Sequence, residues 1–272
     1  MEGKKRKHVI TDKVPVLLAI IYGIVALIIT QIAAYIPTYI VNVFLPVKLS
    51  FNPIFVIISA VVALLIFVLW YKPEFAGFIK TSEYKLNLWI LLIAYALSLG
   101  TSLIQMAVEH SSFKVTLVGV CTAFGAGVLE EVAFRAYMIP IMMRKKKDIV
   151  AAILVSSIVF SLVHGSNALF GADPLHTLLQ VVATFFIGIS LGGMYLMSGN
   201  ILIPIAVHFI HDVIALSIQG IATENGIVEG GLTLSSVLGD IPALIVGVFA
   251  LIYVLKSKED IIKLWEKKWT LE

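Results

Sequence analysis

Residues 113–143 read FKVTLVGVCTAFGAGVLEEVAFRAYMIPIMM. Apart from Lys114 at one edge, the only charges in this run are Glu130, Glu131 and Arg135. A helix that crosses a bilayer needs about 20 mostly apolar residues, and this stretch exceeds that. A charge held at the bilayer centre costs from ~2.5 to over ~10 kcal/mol. The stretch therefore predicts a membrane-spanning helix that brings ionisable groups to mid-depth for a functional reason.

The rest of the chain supports the same solvent. The 272 residues are 60% hydrophobic and only 14% charged, with a mean hydropathy of +1.01. A typical soluble domain carries about 25% charged residues. Eight apolar runs qualify as spans, at residues 14–43, 50–71, 86–108, 113–143, 149–164, 175–197, 201–220 and 234–255. The fifth is short and is expected to extend beyond these limits. The fold class is all-α: a polytopic transmembrane helical bundle. Its organisation is a basic tail (1–13), three leading spans (14–112), a core of four spans (113–220), and a last span with a basic tail (221–272).

Charge placement sets the orientation. If the N-terminus is cytoplasmic, the inner segments carry Lys4, Lys5, Arg6, Lys7 and Lys13, then Lys72, Lys80 and Lys85, then Arg144, Lys145, Lys146 and Lys147, and finally Lys256, Lys258, Lys263, Lys267 and Lys268. The outer side holds only Lys48 and Lys114. Cytoplasmic loops carry the excess of Lys and Arg, so both termini are expected to be cytoplasmic. The N-terminal MEGKKRKHVITDK precedes an apolar run too long for a signal-peptide core, which predicts an uncleaved first span. The basic runs flank spans, so they read as topology determinants and argue against a nucleic-acid partner. Residues 263–269, KLWEKKW, read as a snorkelling, aromatic-anchored helix end. The single cysteine, Cys121, rules out a disulfide within the chain and reads as a small buried residue. Gly188 and Gly192 have the small-xxx-small spacing of close helix packing. Ser198-Gly199-Asn200 reads as a tight turn.

Depth groups the intramembrane polar residues. At ~1.5 Å per residue, Glu130 lies about 21 Å from the cytoplasmic end of its span, His164 about 24 Å, Asp212 about 18 Å and His208 about 12 Å. Three helices thus bring polar groups to similar depths. Glu131 and Arg135 are i and i+4 on one face, the favourable order for a pair. Glu130 points about 100° away and needs a partner on another helix. A carboxylate beside histidines can act as a general base, which assigns Glu130 to chemistry and Glu131 to charge balance. His208 and Asp212 share a face, with His211 near it. Pro204, four residues before His208, is expected to bend that span towards the site.

Three motifs lie in order on separate spans. Glu130-Glu131-Val132-Ala133-Phe134-Arg135 is EExxxR, Phe160-Ser161-Leu162-Val163-His164 is FxxxH, and His208-Phe209-Ile210-His211-Asp212 is HxxxD. Together they resemble the CAAX prenyl protease and bacteriocin-processing family, also called CPBP or Abi. The resemblance covers residues 113–220. It implies a glutamate-type intramembrane endopeptidase in which Glu130, assisted by His164, activates a water. His208 and the residue at 212 would stabilise the oxyanion, with Glu131, Arg135 and His211 in support. The implied substrate is a peptide or membrane-anchored protein, prenylated or not, with a role in CAAX-like processing or in bacteriocin or signal-peptide maturation or immunity. The implied location is a prokaryotic cell membrane, in contact with the lipid bilayer.

Two points depart from that pattern or stay open beside it. CAAX-processing members carry Asn where this chain has Asp212, whereas many others carry Asp. An ionised Asp cannot donate to an oxyanion, so Asp212 is either protonated or orients His208 or His211. This favours the bacterial peptide-processing branch. No cofactor is expected. Zinc is the one metal the residue types would suit, with Glu130, His164 and His208 as ligands, but no HExxH zincin arrangement is present. A proton- or ion-coupled transporter is the competing reading, since buried Glu, His and Asp also form proton relays. The sequence lacks the internal repeat common in transporters. A non-catalytic membrane scaffold on the same fold is the third reading.

Overall fold

The computed structural model describes residues 87–108, 115, 117–146, 148–170, 172–224 and 234–270, with isolated positions between 17 and 65. Among the described residues the chain is helical and contains no strand. Helices numbered from there are α1 Leu88–Val108, α2 Leu117–Glu131, α3 Ile139–Lys146, α4 Ile149–His164, α5 Pro174–Ser198, α6 Leu202–Glu224, α7 Leu234–Lys256 and α8 Lys258–Thr270. Among the described residues, three segments are long and apolar enough to cross a membrane: Ile149–Ala168, Pro174–Ser198 and Leu238–Lys256. The expected spans at 14–43 and 50–71 lie outside the described residues, save for isolated helical positions. The loop at 72–85 lies wholly outside them.

Local chemistry explains the boundaries. Asp148 caps α4 by accepting the Ala151 N–H at 3.0 Å, and Asp173 caps α5 through the His176 N–H at 2.8 Å, with Pro174 at the first position. Both satisfy N–H groups that lack a partner within the helix. The short fifth span gains length from a 3₁₀ turn, Gly165–Phe170, that continues α4 past His164. Gly199 ends α5 at φ 61°, and Asn200 Oδ1 then receives the Leu202 N–H at 3.0 Å to start α6. The expected tight turn is therefore there. Because α6 begins at Leu202, Pro204 falls in its first turn, where the missing N–H would have had no helical partner. Pro204 thus opens the helix, and the expected bend is not its role.

The α5 helix is the central post. Its membrane window is 72% buried, against 22% for α7, which turns most of its surface outward. A Cβ added to Gly188 would come within 3.1 Å of Ser157 and 3.2 Å of Phe160, both on α4. One added to Gly192 would meet Ile153 at 3.1 Å. The small-residue spacing on α5 thus seats α4 against it, as expected.

The region that opened the sequence analysis departs from a regular helix. Between α2 and α3 the chain widens into a π-helical turn, Val132–Met138, that is buried throughout. The cause lies just beyond it. Pro140 has no N–H, and its ring crowds the carbonyl four residues back. A π turn is a common response to a broken ladder and recurs at functional sites. The Phe134 carbonyl inside this turn is taken by the Ser156 hydroxyl of α4 at 2.8 Å.

The C-terminal reading needs a correction. Residues 258–270 form a separate helix, and Trp265, Ile261 and Leu264 are fully buried in protein. Trp265 Nε1–H donates to the Leu196 carbonyl at 2.8 Å, near the end of α5. An indole needs an acceptor when buried, and a terminal helix carbonyl needs a donor. Trp265 is thus a packing residue, not a lipid anchor, while Lys263 does face outward. Cys121 is half-buried and free, not fully enclosed.

Candidate active site

The site begins with a glycine. A Cβ on Gly127 of α2 would sit 3.3 Å from the Phe209 backbone nitrogen and 3.5 Å from the Ile205 carbonyl oxygen, both on α6. Glycine lets the two backbones come this close. One turn further along α2, the close approach sets Glu130 and Glu131 against His208.

His208 is the hub. Its Nδ1 lies 2.8 Å from Glu131 Oε1. Its Nε2 faces Glu130 Oε2 at 3.8 Å and Asp212 Oδ2 at 3.5 Å. A carboxylate only accepts, so the Nδ1 hydrogen points to Glu131 and Nε2 is turned to the other two acids. Asp212 thus faces His208. Glu130 finds its cross-helix neighbour on α6, as its orientation requires.

The carboxylates divide by accessibility. Glu131 and Arg135 have side chains 0% exposed, whereas Glu130 is 22% and Asp212 23% exposed. The inner pair is an ion pair, Arg135 Nη1 to Glu131 Oε1 at 2.9 Å. Arg135 also donates from Nη2 to the Gly188 carbonyl of α5 at 3.2 Å. Its guanidinium carbon lies 4.3 Å above the Phe160 ring. One side chain thereby ties α2 to α4, α5 and, through Glu131, α6.

Phe160 stands at the centre of this contact set. Its ring meets His164 edge-on with centroids 4.9 Å apart and His208 at 5.8 Å. The Nδ1 of His164 is 3.0 Å from the Phe160 carbonyl. A carbonyl accepts, so Nδ1–H is the donor and Nε2 of the neutral ring keeps its lone pair. Among the described residues no ion pair joins His164 to Glu130. The structure thus brings Glu130, Glu131, Arg135, His208 and Asp212 into direct contact and sets His164 one aromatic ring away.

His211 points elsewhere. Its Nδ1 is 3.0 Å from the Tyr95 hydroxyl of α1. Tyr95 is a residue that sequence reasoning missed; the only signal was a phenol within an apolar span. Pro140 and Ser156, which shape the π turn, were also missed. Among the described residues, no group of three or more His, Cys, Asp or Glu side chains is arranged to hold a metal ion.

Two carboxylates and an imidazole at one partly accessible position form a set suited to general acid–base chemistry. Comparison with known proteins bears on the same residues. Residues 112–214 match the family model described as type II CAAX prenyl endopeptidase Rce1-like. No curated protein and no solved structure matches the chain. The matched segment contains all three motifs, so this part of the chain is similar to that family.

Proposed function

We propose that the chain is a glutamate-type intramembrane endopeptidase that cleaves a peptide bond with a water activated by Glu130 and His164. The observation that carries this reading is the division of the acids. Glu131 and Arg135 are sealed in the protein, while Glu130 and Asp212 flank His208 Nε2 and remain reachable.

In this reading the reaction runs as follows. Glu130 takes one proton from the water, and His164 Nε2 accepts the other hydrogen and orients the molecule. The hydroxide oxygen forms a bond to the scissile carbonyl carbon. His208, held by Glu131, carries a proton on Nε2 that it shares with Asp212 and donates to the oxygen as negative charge develops. The carbon–nitrogen bond then breaks, and Glu130 passes its proton to the departing amine. Exclusion of bulk water strengthens each of these interactions.

The substrate in this reading is a peptide or membrane-anchored protein. Asp212 favours the bacterial peptide-processing branch over CAAX processing. The charge bias supports both termini being cytoplasmic, and in this reading the protein crosses a prokaryotic cell membrane eight times.

The test is cleavage of a panel of quenched fluorescent peptides, with and without a prenyl group, by the full-length protein in detergent. The wild type should cut at least one, and Glu130→Ala should stop turnover while keeping the wild-type melting temperature. Undiminished cleavage by Glu130→Ala refutes the mechanism.

A further inference from the structure

The two histidines of α6 have unlike neighbours. His208 Nδ1 is bound by a carboxylate, Glu131, at 2.8 Å. His211 Nδ1 is bound by a phenol, Tyr95, at 3.0 Å. The two rings sit three residues apart on one helix.

A phenol has one hydrogen to place. Tyr95 is 4% exposed, and among the described residues its hydroxyl has one polar neighbour, His211 Nδ1. A buried hydroxyl gives its hydrogen to the available acceptor. The hydrogen of neutral His211 then resides on Nε2. At His208 the logic reverses, because a carboxylate requires the donor to be on Nδ1.

We infer that Glu131 fixes His208 as a donor from Nδ1 and that Tyr95 fixes His211 as the Nε2–H tautomer, which makes Tyr95 of α1 a positioning residue of the site. His208 then turns Nε2, with the proton it shares with Asp212, towards the site, while His211 is held neutral with Nε2 as a donor. The second ring of an imidazole pair determines where protons go, because two interchangeable histidines on one helix could exchange tautomers. A neutral phenol fixes His211 without adding a fourth anion to a site that already holds Glu130, Glu131 and Asp212. Tyr95 lies before residue 112, so the site draws on a helix outside the segment matched by the family model. The α1 helix packs mainly on α7 and α5, and the tyrosine is its polar link to α6. The tautomer assignment stands on contacts alone; the positioning role rests on the protease reading.

The test uses full-length protein labelled with ¹⁵N-histidine in lipid micelles, with the His211 resonances assigned by their loss in His211→Gln. Wild-type His211 should show a protonated Nε2 and an accepting Nδ1. In Tyr95→Phe this pattern should give way to mixed tautomers, while His208 keeps its own. Activity should fall about tenfold in kcat with KM unchanged, the size expected for one hydrogen bond. A wild-type His211 that carries its hydrogen on Nδ1 overturns the inference, whatever Tyr95→Phe does. So does a Tyr95→Phe protein whose His211 spectrum and kcat match the wild type. If Glu130→Ala abolishes cleavage and Tyr95→Phe leaves kcat intact, the positioning role fails and the protease reading stands. Cleavage that survives Glu130→Ala removes the protease reading and leaves the tautomer assignment to the spectrum.

Discussion

Replacing Arg135 by lysine keeps the charge and removes the fork. In a membrane protein the unfolded reference state in lipid retains its helices, so the i,i+4 pair between Glu131 and Arg135 survives in it. Folding adds only the contacts that cross between helices. For Arg135 these are the hydrogen bond to the Gly188 carbonyl at 3.2 Å and the approach to the Phe160 ring at 4.3 Å. Cross-helix hydrogen bonds in membranes contribute about 0.6–2 kcal/mol, and a desolvated cation over a ring about 0.5–2 kcal/mol. A lysine ammonium is a point charge and cannot serve Glu131, Gly188 and Phe160 together. Arg135→Lys should therefore cost about 1–4 kcal/mol of folding free energy, measured by equilibrium unfolding of the full-length protein in mixed micelles. Phe160→Leu should cost much less in the Arg135→Lys background than in the wild type, because the shared contact is already lost. An Arg135→Lys protein within about 0.5 kcal/mol of the wild type, or strict additivity with Phe160→Leu, would show that the ion pair alone matters.

Three further outcomes are expected. Asp212→Asn should keep cleavage within about tenfold of the wild type, since an amide can donate to the oxyanion; Asp212→Ala should lose more, and equal loss in a peptide assay would dismiss the donor role at 212. Gly127→Val should lower turnover sharply, because its side chain would press on α6 backbone already 3.3 Å from the first Cβ position; retained kcat would show that the α2–α6 spacing does not set the site. Trp265→Phe should destabilise the protein by about 1–3 kcal/mol through the unpaired Leu196 carbonyl, read as a fall in thermal midpoint, whereas an unchanged midpoint would dismiss the indole as a structural contact.

The sequence made local pairings legible and left distant ones hidden. Glu131 with Arg135, and His208 with Asp212, are separations along one helix, and helical periodicity fixes them before any fold is known. The need of Glu130 for a partner on another helix could also be stated from its angle to Glu131. Which residue would meet it could not, because that depends on how close α2 and α6 approach at Gly127. Pro204 was misread because its effect depends on where the helix starts, and the start is set by Gly199 and Asn200. Trp265 was misread because amphipathic composition looks the same whether the apolar face meets lipid or protein. Tyr95 carried no pattern at all; its partner lies 116 residues away.

The π turn follows the two acids and carries Arg135, the partner of the buried one. Glu130 and Glu131 end a regular α segment, and the wider turn begins at Val132. The change of pitch falls between the reachable acid and the buried base of the network. Arg135, inside the turn, reaches back to Glu131, sideways to Gly188 on α5 and up to Phe160 on α4. A charge sealed in the protein is tolerated only when it is paired and hydrogen-bonded. With the inner pair held this way, His208 is fixed through Glu131 and its Nε2 faces the two acids that are partly exposed. The arrangement therefore uses burial twice: to make Glu131 a rigid acceptor, and to leave Glu130 partly exposed, as the proposed mechanism requires.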